Sequence, residues 1–142
     1  MICLGLESTA HTFSIGILKY REILAEAKDM YTTEKGGIIP LDAAKHHEKI
    51  KDKVLEEALK QANIKLNDIN LIAFSAGPGL APCLLIGLKF AKELAKKYNI
   101  PLIPVNHIVG HLEIGKLLTE ARDPVYVFVA GANTQIIALE GG

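Results

Sequence analysis

Apolar residues change their spacing part-way along this chain, and that change limits the folds open to it. Up to residue 30 they come in short runs. Ile2 to Leu6 ends in Glu7-Ser8-Thr9, Phe13 to Leu18 contains Gly16, and Ile23 to Ala27 alternates loosely. Short runs with tight connections predict three strands in an antiparallel opening. From Asp42 to Ala62 the period is helical. Ala43, His47, Ile50, Val54 and Ala58 recur every three or four residues, Leu55, Leu59 and Ala62 widen the stripe, and Lys and Glu fill the outer face. A long amphipathic helix follows from that pattern, and Pro40 marks its start.

The two periods then alternate. Leu71 to Phe74 reads as a buried strand, and Ser75 to Pro82 is a loop by composition. Pro82 suits the first turn of a helix that runs to Tyr98, where Asn99 and Pro101 stop it. Leu102 to Val105 is a strand, and His107 to Leu118 is a helix with Asn106 as its N-cap. Val125 to Val129 and Gln135 to Leu139 pair as a hairpin across Ala130-Gly131-Ala132-Asn133. The order βββ-α-β-α-β-α-ββ predicts an α/β fold, a mixed sheet flanked by helices.

Composition narrows the class. The 142 residues fit one domain, long enough to bury about 70% of the unfolded surface. Lys plus Arg and Asp plus Glu each number 16, which argues against a stand-alone nucleic-acid binder with a basic excess. Trp is absent and aromatics are 6%, so stacking platforms for single-stranded bases are poorly supplied. The lysines on the outer helix faces read as solvated, with a role on a tRNA backbone as the lesser alternative. Cys3 and Cys83 form no C-x-x-C pair, which fits a reducing compartment, and Cys83 reads as a small core residue. Met1 leads into Ile2-Cys3-Leu4 without a basic segment, and Lys89 interrupts the apolar run Leu84 to Leu88. Neither a secretory signal nor a membrane span is expected, and a cytoplasmic protein is. The chain stops at Gly141-Gly142 without a terminal element, as expected of part of a longer protein.

Four motifs can carry chemistry. Gly5 to Thr12 ends a strand in small hydroxylic residues, either a phosphate-binding turn or an ordinary hairpin. Gly77-Pro78-Gly79 to Pro82 lies between a strand and a helix start, where backbone N–H groups favour anions. It is neither G-x-G-x-x-G nor a Walker loop, and a plain strand-to-helix turn is equally consistent. His107 and His111 stand four apart on a helix, so both rings project from one face. That spacing suits two nitrogen ligands on one divalent metal, Zn²⁺ or Fe²⁺, or two histidines lining a cleft without metal. It is not H-E-x-x-H, which weighs against a metalloprotease, and the chain offers no strong third ligand. His46 and His47 diverge by ~100° on a helix and cannot share a metal, so one is expected packed and one exposed.

Together these blocks resemble one family. Glu7-Ser8-Thr9-Ala10-His11-Thr12, Gly36-Gly37-Ile38 with Ala43-Ala44-Lys45-His46-His47, Gly77 to Pro82, Asn106 to Gly115 and Asn133-Thr134-Gln135 occur in that order. The chain is similar throughout to the tRNA threonylcarbamoyladenosine transferases, in their archaeal and eukaryotic KEOPS-complex branch. The resemblance implies one lobe of an actin/Hsp70/sugar-kinase-like (ribonuclease H-like) fold. Residues 1–142 would be a single domain, the N-terminal lobe of a two-lobed enzyme whose C-terminal lobe is absent. It implies transfer of a threonylcarbamoyl group from threonylcarbamoyl-AMP to N6 of the adenosine at position 37, beside the anticodon, in tRNAs reading ANN codons. His107 and His111 would hold one divalent metal, iron or zinc, with a third ligand from outside this chain. Phe128, Val129, Ala130, Gly131, Ala132 and Asn133 would lie along the adenylate, with Ser8, Thr9 and His11 lining the same cleft. No residue stands out as the catalytic one. The partners implied are tRNA, a Bud-type kinase and a small Pcc-type subunit docked on helices 42–62 and 82–98.

The chain departs from the family pattern in three respects. Ala130-Gly131-Ala132-Asn133 stands where Ser-Gly-Gly-Asn is usual, which removes a hydroxyl and adds a methyl. Leu85 replaces a common Arg, and the second lobe is missing. The isolated lobe is therefore expected to be inactive. The alternative is a scaffold or interaction lobe that binds the small subunit through its two long helices.

Overall fold

The computed structural model describes residues 1–34, 36–119, 121–130 and 133–138, with nothing said of the side chains of Ala130 and Asn133. The chain divides into two compact units, Met1–His107 and Ile108–Gly142.

The first unit opens with the three expected strands, β1 (Ile2–Glu7), β2 (Thr12–Lys19) and β3 (Glu22–Met30). Helix α1 (Pro40–Ala62), β4 (Leu71–Gly77), α2 (Ala81–Tyr98) and β5 (Leu102–Asn106) follow. The five strands make one sheet in the order β3-β2-β1-β4-β5. Strand β1 runs antiparallel to β2 and parallel to β4, and β4 runs parallel to β5. The sheet is therefore mixed, as its alternating periods require.

Period-two alternation decides which face is covered. Leu4 and Leu6 of β1, Phe13, Ile15 and Ile17 of β2, Ala25 and Ala27 of β3, and Ile72 and Phe74 of β4 point to one side. There they meet Ile50, Val54, Leu55 and Ala58 of α1 and Phe90, Ala91 and Leu94 of α2. The stripe read from the sequence is the buried face of α1, and it includes His47. Both helices end on an asparagine in the left-handed region, Asn63 (φ 52°) and Asn99 (φ 53°), a conformation Asn tolerates because its short amide bonds locally. On the opposite face Gly5 pairs with Gly16 and with Ala73. Missing side chains there leave a trough of about 250 Å³, bounded by Glu7, Ser14, Ser75 and Val105.

The second unit contains α3, which begins at the close of the first unit (His107–Thr119), and the hairpin β6 (Tyr126–Ala130) and β7 (Asn133–Ile137). The two strands pair antiparallel, Val127 opposite Ile136 and Phe128 opposite Gln135. A Cβ added to Gly115 would lie 3.9 Å from the Tyr126 ring.

Three details differ from the sequence reading. A 3-10 turn at Leu66–Asp68 was not expected; Asp68 accepts the Lys65 N–H at 2.8 Å and closes it. Asn106 is the last residue of β5 and extends the sheet. His46 is half-buried, its Nε2 3.0 Å from Asp29, while His47 is fully buried.

Candidate functional site

Parallel strands leave their carboxyl ends on one edge of the sheet, and in open α/β sheets ligands bind outside that edge. Glu7 closes β1, Ser75 lies near the end of β4, and His107 follows β5 directly. Each belongs to a different strand end, and the register β1-β4-β5 draws them together.

Glu7 is the centre. Its Oε1 accepts the Thr9 N–H at 2.6 Å. Its Oε2 accepts the Ser75 hydroxyl, and His107 Nδ1 lies 2.9 Å from the same oxygen. Thr9 Oγ1 stands 3.5 Å from His107 Nδ1. Burial pushes the Glu7 carboxyl up, but the Ser75 hydroxyl, the Thr9 hydroxyl and N–H, and the His107 charge outweigh it. The group is held below its ordinary 4.5. An ionised carboxylate only accepts hydrogen bonds.

The glycine loop is pressed onto this turn. Leu80 N–H donates to the Thr9 carbonyl at 2.7 Å, and a Cβ on Gly79 would come within 2.5 Å of that oxygen. One turn into α2, a Cβ on Gly87 would overlap Ser8 Oγ. Glycine at these two positions lets loop and helix close over Ser8 and Thr9, which are 0% and 4% exposed. Beneath the turn His47 Nε2 donates to the Ala10 carbonyl at 2.9 Å. Ser8 Oγ, His11 Nδ1 and His47 Nδ1 are buried without hydrogen-bond partners among the described residues.

The candidate residues thus fall in two groups. Ser8, Thr9 and His11 gather with His107 in the first unit. His111 lies in the second, its ring 5.6 Å from that of Phe128, and Val129 is exposed on the same strand. Gly131 and Ala132 lie outside the described residues, as do the side chains of Ala130 and Asn133. Among the described residues no group of three His, Cys, Asp or Glu is placed to hold a metal. The donor chemistry at His107 nonetheless fits one. Metal-bound imidazoles commonly give their other nitrogen to a carboxylate, and Glu7 is that carboxylate. Sequence reasoning passed over Glu7 and Ser75; an acid closing the first strand ahead of Ser-Thr was the available signal.

Comparison with known proteins decides the family. Residues 21–142 match the family described as tRNA N6-adenosine threonylcarbamoyltransferase. The chain belongs to that family. It is 51% identical over 139 residues to the Staphylothermus marinus protein of that name, covering 94% of this chain and 41% of the relative. The Thermococcus kodakarensis protein is 49% identical over 142 residues, with coverage of 100% and 43%. The chain therefore spans less than half the length of these curated relatives. Among solved structures it is similar to YeaZ from Pseudomonas aeruginosa, with a TM-score of 0.66 at 14% identity over 97% of this chain and 64% of that one. The fold is the expected lobe of the actin/Hsp70/sugar-kinase-like, ribonuclease H-like class. Among the described residues no helix is long and apolar enough to cross a membrane.

Proposed function

We propose that this chain supplies the N-terminal half of a threonylcarbamoyl-transfer site, acting in a KEOPS-type complex in the cytoplasm. The substrates would be threonylcarbamoyl-AMP and N6 of the adenosine at position 37 in tRNAs reading ANN codons. The observation that carries the reading is the Glu7, Thr9, Ser75 and His107 cluster at the carboxyl ends of β1, β4 and β5, in a chain of this family.

His107 and His111, four residues apart in α3, would supply two ligands to an iron or zinc ion, and a carboxylate from the missing portion would complete the set. When bound, such an ion would supply Lewis-acid polarisation of the donor's oxygens. The chain's own residues position. Glu7 holds His107, and the Ser8 to His11 turn and the β6–β7 hairpin would flank the adenylate. The adenosine amine attacks the carbamoyl carbon, a C–N bond forms, the bond to AMP breaks, and the amine proton leaves. Placing donor and amine together would provide most of the rate gain.

The scaffold reading has its own support in the α1–α2 pair. Leu85 is 63% exposed, and with Leu88, Lys89, Lys92, Glu93 and Lys96 it lines an apolar-floored groove of about 450 Å³. A small Pcc-type subunit would dock there. A Bud-type kinase belongs to the same assembly.

The test pairs this chain with the C-terminal portion of a relative, the partner subunits, tRNA and synthetic threonylcarbamoyl-AMP. Modified adenosine is expected only when both portions are present. No modification, where an intact relative succeeds, overturns the enzyme reading. Partner binding without modification would favour the scaffold.

A further inference from the structure

A carboxylate that accepts from three donors can dictate the state of one of them. Thr9 gives a backbone N–H, whose direction is fixed by the β1–β2 turn, and Ser75 gives a hydroxyl. The third neighbour, His107 Nδ1 at 2.9 Å, can be either N–H or lone pair in a neutral imidazole. Against an oxygen that only accepts, it must be N–H. The lone pair of the ring then resides on Nε2.

We propose that Glu7 is a positioning residue that sets the His107 tautomer, holding Nδ1 protonated and so making Nε2 the ligating nitrogen. The proposal rests on the reading of His107 as a metal ligand, but its first half stands in the metal-free chain. Ser75 and Thr9 serve Glu7 in turn. They fix both oxygens, so the carboxylate cannot rotate away from the ring.

The isosteric variant Glu7→Gln gives a sharp expectation. One end of the amide must now be NH₂. The Thr9 N–H cannot change character, so the amide oxygen stays on it and the NH₂ faces His107. The imidazole can respond by moving its proton to Nε2. Glu7→Gln should thus invert the tautomer and place a hydrogen where the metal would bind. Ser75→Ala leaves the carboxylate in place and should keep the wild-type tautomer.

The experiment is ¹⁵N NMR of the histidine side chains in the metal-free 142-residue chain, followed by Zn²⁺ titration in the presence of the C-terminal portion of a relative. Wild type and Ser75→Ala are expected with Nδ1–H at His107, and Glu7→Gln with Nε2–H. Zinc should bind ~10–100-fold more weakly to Glu7→Gln than to wild type, the range for loss of such a partner. Nε2–H in the wild-type chain overturns the proposal even if the variant fails to fold, and so does an unchanged tautomer in Glu7→Gln or an inverted one in Ser75→Ala. Should the tautomers behave as expected while zinc leaves His107 untouched, the control of His107 by Glu7 stands and the metal reading falls.

Discussion

His47 shows how one side chain can couple the fold to pH. Burial lowers its pKa below the ordinary 6.5; the Ala10 carbonyl raises it, His46 lowers it, Glu7 raises it and His11 lowers it. The net direction is down, so the folded state keeps the ring neutral while the unfolded chain takes up a proton near 6.5. The unfolded state then binds more protons, and stability rises with pH through that region. Denaturation midpoints are expected to be level above about pH 7 and to fall as pH drops below 6.5, and His47→Gln should flatten that slope. A wild-type midpoint unchanged between pH 7.5 and 5.5 would contradict the assignment. At Gly87 an added methyl meets Ser8 Oγ. Gly87→Ala should therefore cost ~1–3 kcal/mol, typical of overpacking, in urea unfolding.

Among the elements, α1 and α2 could be read from sequence because each carries a three-to-four-residue stripe that the sheet buries. Phe90, 4% exposed, meets Phe13 at 6.2 Å between ring centres. Phe90→Ala is expected to lose ~3–5 kcal/mol, and a loss under 1 kcal/mol would mean that this face is not the core. Leu85 is on the other side of α2, so Leu85→Asp should leave stability within ~0.5 kcal/mol while weakening capture of the small subunit at least tenfold in a binding titration. Strand ends were less legible than strand middles. Strand β4 runs on to Gly77 because it bulges at Ser75–Gly77 to keep pairing with β5, and a bulge has no periodic signature. The turn at Leu66–Asp68 is too short to show any period.

Over the whole molecule, the motifs were visible but their meeting was not. Glu7 and His107 are 100 residues apart, and only the parallel register of β1, β4 and β5 brings them together. The histidines of α3 could be found by spacing alone, whereas their carboxylate neighbour could be found only from the sheet. The account therefore turns on α3 and the portion of the relatives that this chain does not span. The most direct measurement is a Co²⁺ titration of the chain mixed with a relative's C-terminal portion, followed by visible absorption. A saturable band that needs both portions, and that is lost in His107→Ala and in His111→Ala, is the expected result. An identical band in the double variant would contradict the account.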